Sequence, residues 1–187
     1  MVFSSAYAAN AAALQTILGK KKGANLGTAD QALSTHPIEV PVPSTANAFD
    51  NIDAITYTKG ASTLMQLRHL LGAEVFRKGV HNYLVKYAYK NAQLDDFIGS
   101  LGEAAGRDLG PWTQQWLYQP GVDTLSAEFA CAGGKVSRFA LLQSAANPAN
   151  PTLREQLVQV ALFDATGDSL ALGTTTIAVR VSYHARE

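Results

Sequence analysis

The sequence pattern changes at Pro120-Gly121, and this change limits the possible folds more than any other feature. Before it, apolar residues recur at helical spacing. After it, short runs rich in Val, Leu, Phe and Thr alternate with turn residues. A helical part followed by a strand part predicts an α+β fold. The length of 187 residues, 47% of them hydrophobic, allows one large domain or two small ones.

Apolar residues three or four positions apart predict four helices between residues 59 and 120. The residues predicted to face a common core are Leu64, Leu67, Leu70 and Leu71, then Phe76, Val80, Tyr83, Leu84 and Tyr87, then Leu94, Phe97, Ile98 and Leu101, and finally Trp112, Trp116 and Leu117. Gly72 and Gly106 are placed to end the first and third helices. Asp95 and Asp96 fall in the first turn of the third helix, where carboxylates suit the helix dipole, and Asp108 is expected to cap the fourth.

Beyond Val122 the sequence predicts a small antiparallel β-sandwich. Its four predicted strands are Leu125 to Ala130, Val136 to Gln143, Gln156 to Phe163 and Thr174 to Val181. At the other end of the chain, we expect a helix from Ala6 to Leu18 and then an irregular connector rich in Gly and Pro. The predicted division is therefore 1–47 for helix and connector, 48–121 for the helical part and 122–187 for the β-sandwich.

Composition excludes several classes of function. Fifteen basic residues balance fifteen acidic ones, so the chain has no overall field to attract nucleic acid, and we expect no nucleic acid partner. No apolar run approaches the roughly 20 residues that span a bilayer, so no membrane partner is expected. Cys131 is the only cysteine, which excludes an intrachain disulfide, and we expect a cytoplasmic location. The abrupt Ala-rich beginning, with no basic residue ahead of it, suggests a segment of a longer polypeptide rather than a signal peptide.

Most familiar catalytic motifs are missing from the sequence. His36, His69, His81 and His184 include no pair at the i, i+4 spacing of an HExxH zinc motif, so we expect no bound cofactor in this chain. His69 and His81 are interpreted as structural or surface histidines. The sequence also has no GxSxG elbow and no GxGxxG after a strand. Asp95 and Asp96 are adjacent, so on a helix their side chains diverge by about 100° and do not share a proton.

The remaining candidate is Tyr57, at the start of the first long helix. It lies in the phrase Asp53-Ala54-Ile55-Thr56-Tyr57-Thr58-Lys59-Gly60-Ala61. Taken alone, a tyrosine at such a junction is usually a packing residue whose hydroxyl is hydrogen-bonded. Tyr57 and Lys59 are two positions apart, so on a helix they point to different faces and do not form a catalytic couple.

At these residues the sequence resembles the aminopeptidase N family of gluzincin zinc metallopeptidases, whose members carry a phrase of the form D-x-I-x-Y-x-K-G-A. Further phrases occur in the family's order: Ser34-Thr35-His36-Pro37-Ile38, Leu71-Gly72, Tyr89-Lys90-Asn91-Ala92, Gly106-Arg107-Asp108-Leu109 and Gln119-Pro120-Gly121. Two positions depart from the pattern. Ile52 stands where the family usually has Phe, and Asp123 stands where Pro is common.

The resemblance implies the helical half of a metallopeptidase catalytic domain followed by a β-domain. In that family, zinc polarises the peptide carbonyl, a glutamate activates water, and a tyrosine hydroxyl donates a hydrogen bond to the oxyanion; by resemblance, Tyr57 is that tyrosine. The residues that hold zinc and the substrate's free amino group lie upstream in the family and have no counterpart here. The implied function is a fragment of a zinc-dependent aminopeptidase that supplies Tyr57 and is inactive alone.

The resemblance also implies partners: a peptide substrate and an N-terminal part that binds the zinc of the intact enzyme. Helical surfaces that normally pack on that part are expected to be exposed, which favours self-association. An alternative belongs to another class of function. The chain could be a non-catalytic binding or assembly module that keeps the scaffold of an aminopeptidase and has lost its site.

Overall fold

The computed structural model describes residues 30–133, 135–166 and 169–181. The predicted helix from Ala6 to Leu18 and the residue His184 lie outside these ranges. Within the described part, a connector leads to a short helix, α1, at Thr45–Asp50, whose first turn is capped by the Ser44 hydroxyl accepting from Asn47 N–H. α1 thus begins at Thr45, within the stretch that was expected to be irregular.

The helical part consists of a π-helical turn and four helices: the turn Ile55–Lys59, α2 at Gly60–Leu71, α3 at Ala73–Lys86, α4 at Leu94–Ala105 and α5 at Gly110–Trp116. These bounds confirm the four predicted helices. The bounds of α4 have a clear cause. Asp96 Oδ2 accepts from Gln93 N–H at 2.9 Å in a capping box, and Gly106 ends the helix with a left-handed φ of 59°.

The cap predicted for α5 is wrong. Leu109, not Asp108, is the residue that flanks the helix at its N-terminus, and no side chain caps it. Asp108 Oδ1 accepts instead from Gly110 N–H at 2.8 Å, two residues later. A local turn of this kind uses the same short acceptor as a helix cap, so the sequence signal is the same for both.

The core of the helical part is formed by residues of α2, α4 and α5 and of the turns around α5. Its buried members are Leu67, Ile98, Leu101, Leu109, Trp112, Trp116 and Leu117. Phe76 and Val80 of α3 pack against this cluster, as predicted. Leu84, predicted to face inward, is 61% exposed. α3 therefore contacts the core with a narrower apolar stripe than the sequence pattern indicated.

Four strands follow the helices: β1 at Asp123–Ala132, β2 at Lys135–Ala145, β3 at Gln156–Thr166 and β4 at Ser169–Val181. β1 pairs antiparallel with β2, placing Phe129 opposite Phe139, and β3 pairs antiparallel with β4, placing Val160 opposite Ile177. The predicted α+β fold with an antiparallel β part is confirmed, and each strand is longer than predicted. The division of the chain into domains at 47 and 121 stays a prediction. No helix in the described part of the chain is long and apolar enough to cross a membrane.

Candidate functional site

Tyr57 lies on the π-helical turn that leads directly into α2. Its neighbours in the turn, Ile55 and Lys59, are only 4% and 2% exposed, whereas Tyr57 is 60% exposed. The prediction that Tyr57 and Lys59 point to different faces is therefore confirmed. The Tyr57 hydroxyl forms no hydrogen bond to another residue that the structure describes. The turn thus presents the phenol at the surface, and single π turns occur frequently at functional sites.

Asp53 holds the backbone at the start of this turn. Its Oδ1 accepts from the N–H groups of Ile55 and Thr56, each at 2.9 Å, and its carbonyl accepts from Tyr57 N–H at 3.2 Å. The first N–H groups of a helical segment have no acceptor within the segment, so a side chain that bonds two of them stabilises its beginning. The Thr56 hydroxyl adds a bond to the Asn51 carbonyl at 2.6 Å. Asp53 therefore fixes the segment that carries Tyr57.

His36, from the connector, holds the other oxygen of the same carboxylate. Its Nε2 lies 2.8 Å from Asp53 Oδ2, and its Nδ1 lies 2.7 Å from the carbonyl of Pro37. Partial burial opposes the charge on His36, but the Pro37 carbonyl and Asp53 outweigh it and raise the pKa of the imidazole. Partial burial also opposes the charge on Asp53, but hydrogen bonds from Thr56 N–H and His36 lower the pKa of its carboxyl. Both residues therefore favour their charged forms.

Lys59 anchors the end of the π turn in the interior. Its Nζ lies 3.0 and 2.9 Å from the two carboxylate oxygens of Asp30, and both side chains are almost fully buried. Lys59 also donates to the Gly121 carbonyl at 3.0 Å, and Gly121 N–H donates to Asp30 at 3.2 Å. Burial lowers the pKa of Lys59, and the attraction of Asp30 counters this effect. This pair joins the connector, the π turn and the start of the β part.

Arg154 makes a second buried connection between the helical and β parts. Its guanidinium donates to Asp123 Oδ1 at 3.1 Å and to the carbonyls of Gln115, Gln119 and Pro120 at 2.8 to 3.1 Å. The side chains of Arg154 and Asp123 are each 1% exposed. Asp123, the residue that departs from the family's usual Pro, is thus the acid that neutralises a buried guanidinium.

A cavity of about 230 Å³ lies between α2 and the strands. Lys59 and Thr63 line its helical side, and Leu141 and Val158 line its strand side. The Thr63 hydroxyl is buried and has no hydrogen-bond partner among the described residues. Tyr57 is not part of the lining, so this cavity is separate from the surface that presents the candidate tyrosine.

Comparison with known proteins identifies the family. The sequence profile of the peptidase family M1 domain matches residues 3–116, which is more than half of the chain. The chain belongs to peptidase family M1. Its resemblance to the aminopeptidase N family is thereby confirmed, and the match covers both Tyr57 and His36.

The relatives of this M1 chain are named as aminopeptidases. Aminopeptidase N of Streptomyces lividans is 40% identical over an alignment of 144 positions, which covers 74% of this chain and 17% of that protein. Probable aminopeptidase 1 of Sulfurisphaera tokodaii is 39% identical over 117 residues, 62% of this chain and 15% of that protein. Aminopeptidase 2, mitochondrial, of Saccharomyces cerevisiae is 40% identical over 97 residues, 52% of this chain and 10% of that protein. The chain therefore spans less than a fifth of the length of these curated relatives.

The M1 family is zinc-dependent in general, but the residues described here do not fit a zinc site. No group of three His, Cys, Asp or Glu residues in the described ranges lies close enough together to hold a metal ion. Of the other histidines, His81 is exposed on α3, and His69 is half-buried beside Trp112. Asp96 serves the capping box of α4, so it is not half of a catalytic dyad.

Tyr57 was the candidate predicted from the sequence, whereas the residues that hold its turn were not predicted. Asp53 had a usable signal, because an Asp just before a helical pattern often caps the helix. The contacts of His36, Asp30 and Arg154 had none, since they join positions 17, 29 and 31 residues apart along the chain. Such pairs are specified by the tertiary fold rather than by local spacing.

Proposed function

We propose that this chain is the part of an M1 aminopeptidase that supplies a tyrosine hydroxyl to the oxyanion formed at the scissile carbonyl of a peptide. Tyr57 is the proposed donor. The observation that supports this role is the exposed phenol, with no hydrogen bond to the described residues, on a turn whose backbone is held at both ends. A tyrosine hydroxyl ordinarily stays protonated at neutral pH, so it is a donor under the conditions in which peptidases act.

The proposed reaction removes N-terminal residues from peptides, as the names of the relatives indicate for those proteins. The zinc site and the base that activates water would belong to another part of the catalytic domain. Two apolar side chains that precede Tyr57 in the chain, Phe49 and Ile52, are 70% and 56% exposed. We propose that this surface packs against that other part, and that the chain alone is inactive.

The proposal is tested by exchanging segments between relatives. The aligned segment of this chain, 74% of its residues, replaces its counterpart in aminopeptidase N of Streptomyces lividans, giving a protein called here the exchange enzyme. Its activity on an aminoacyl p-nitroanilide is measured for Tyr57→Phe and for Tyr89→Phe, a control that removes the hydroxyl of another exposed tyrosine. Loss of one oxyanion donor lowers kcat by about 10² to 10³ and changes KM little.

Three outcomes would contradict the proposal. One is a Tyr57→Phe enzyme with the kcat of the Tyr89→Phe control. Another is an exchange enzyme that folds by circular dichroism and binds zinc by mass spectrometry, yet cleaves no substrate; this result would favour a non-catalytic module. The last is zinc-dependent release of N-terminal residues by the pure 187-residue chain, because the proposal places the zinc site outside it.

A further inference from the structure

We propose that His36 and Asp53 form a positioning pair for Tyr57, in which the His36 imidazolium holds the Asp53 carboxylate and thereby keeps the turn Ile55–Lys59 in its π-helical form. This inference rests on the proposed role of Tyr57. In this proposal His36 and Asp53 act on the position of Tyr57 and not on the substrate directly, and their action depends on the proton of His36.

A continuous series of contacts runs from the connector to the turn that carries the tyrosine. The Pro37 carbonyl fixes one nitrogen of the His36 ring, and the other nitrogen meets Asp53 Oδ2 at 2.8 Å. Asp53 Oδ1 then accepts from two consecutive N–H groups, those of Ile55 and Thr56. One oxygen of the carboxylate contacts His36 and the other contacts the turn, so His36 sets the orientation in which the carboxylate bonds the turn.

The two hydrogen bonds of the His36 ring determine its protonation state. A carbonyl and a carboxylate are both acceptors, so both nitrogens of His36 must donate for the two bonds to exist together. Only the imidazolium has two N–H groups. The charged groups facing His36 are Asp53, which favours the imidazolium, and Lys59, which opposes it. The ammonium of Lys59 is itself paired with Asp30 at 2.9 Å, which reduces its effect on His36.

The pair of His36 and Asp53 also sets the direction in which the Tyr57 side chain points. A π turn contains one residue more per hydrogen-bonded turn than an α-helix, and it is the rarer form. If the turn relaxed into α2 as regular α-helix, the register before Gly60 would shift by one residue, which rotates a side chain by about 100° around the axis. His36 opposes this shift, because it holds the Asp53 carboxylate, and through it the N–H groups of Ile55 and Thr56, in the present position.

The test uses the full 187-residue chain and nuclear magnetic resonance. The imidazole of His36 is titrated beside that of the exposed His81, and exchange of the Ile55 and Thr56 amide hydrogens is followed across the same pH range. The Gly110 amide is the internal control, since it bonds an aspartate, Asp108, that has no histidine partner in the described structure. We expect the pKa of His36 to lie above 6.5, with protection at 55 and 56 falling as His36 loses its proton while protection at Gly110 does not.

Two variants separate positioning from general stability. His36→Ala is expected to remove the pH dependence of protection at 55 and 56, whereas the control His81→Ala keeps it. Asp53→Asn is expected to reverse the dependence, because its amide can donate to a neutral imidazole and clashes with an imidazolium. A His36 pKa at or below 6.5, or protection of 55 and 56 that is the same in Asp53→Asn as in the unchanged chain, would overturn the proposal.

The exchange enzyme gives the functional readout. We expect His36→Ala to lower kcat between about tenfold and 100-fold with little change in KM, as for a misplaced catalytic group. If Tyr57→Phe leaves kcat unchanged, the proposed function fails, whatever the magnetic resonance shows. If Tyr57→Phe lowers kcat while His36→Ala matches His81→Ala, the positioning pair is refuted and the proposed function stands.

Discussion

Replacing Gly79 by alanine tests how closely α3 packs against α4. A Cβ atom at position 79 would lie 2.7 Å from Leu101 Cδ2 and 2.9 Å from Leu101 Cα. Leu101 is completely buried, so its side chain has no free space into which it can turn. Because one of the two close atoms belongs to the backbone, the helices themselves must separate to admit a methyl group.

The expected loss of stability follows from two opposing effects. Overpacking against a buried backbone costs about 2–3 kcal/mol, near the upper end of the usual range. Replacing a helical glycine by alanine gains about 0.4–1 kcal/mol through the unfolded state. The free energy of unfolding of Gly79→Ala should therefore fall by about 1–2.5 kcal/mol.

Gly99→Ala is the matched control for this prediction. Gly99 lies within α4, and a Cβ there would meet no atom within 4 Å. The same substitution should stabilise the chain by about 0.4–1 kcal/mol. Urea denaturation followed by far-UV circular dichroism measures both variants. A Gly79→Ala protein as stable as Gly99→Ala would refute the close approach of α3 and α4.

Two further predictions concern the charged pairs. Arg154→Met leaves Asp123 buried without its cation and should lower the free energy of unfolding by about 3–5 kcal/mol. The control Arg138→Met removes one partner of an exposed pair and should lower it by under about 1 kcal/mol. Equal losses for the two variants in denaturant unfolding would contradict this prediction. The stability difference between wild type and His36→Ala should depend on pH. The raised pKa of His36 makes its contribution complete below 6.5 and lost as pH rises through the folded value. The lowered pKa of Asp53 makes its contribution present above 3.8 and lost as pH falls. A difference that is constant with pH would contradict the coupling.

The helices were largely predictable because local chemistry specifies their ends. Gln93 and Asp96 form the capping box at the start of α4, and Gly106 takes the left-handed conformation at its end. The π turn before α2 was not predictable from spacing, since five residues are too few to show a period. The exposed Leu84 was also missed, because periodicity describes an apolar stripe and not the width of the surface that covers it.

The candidate site was only partly predictable for a different reason. Tyr57 was predicted from a local phrase, but the residues that hold its turn include some that are distant along the chain. His36 and Asp53 meet only after the connector folds back, and the same holds for Asp30 and Lys59. Buried charges are unfavourable without a partner, so the Asp30–Lys59 pair in particular depends on the whole fold bringing two distant residues together.

The central claim is that the Tyr57 hydroxyl lowers the barrier to peptide hydrolysis in an M1 enzyme. The ratio of kcat for Tyr57→Phe to kcat for Tyr89→Phe in the zinc-loaded exchange enzyme measures this directly. The expected ratio is about 10⁻² to 10⁻³ at similar KM. A ratio near one would show that this phenol takes no part in the reaction.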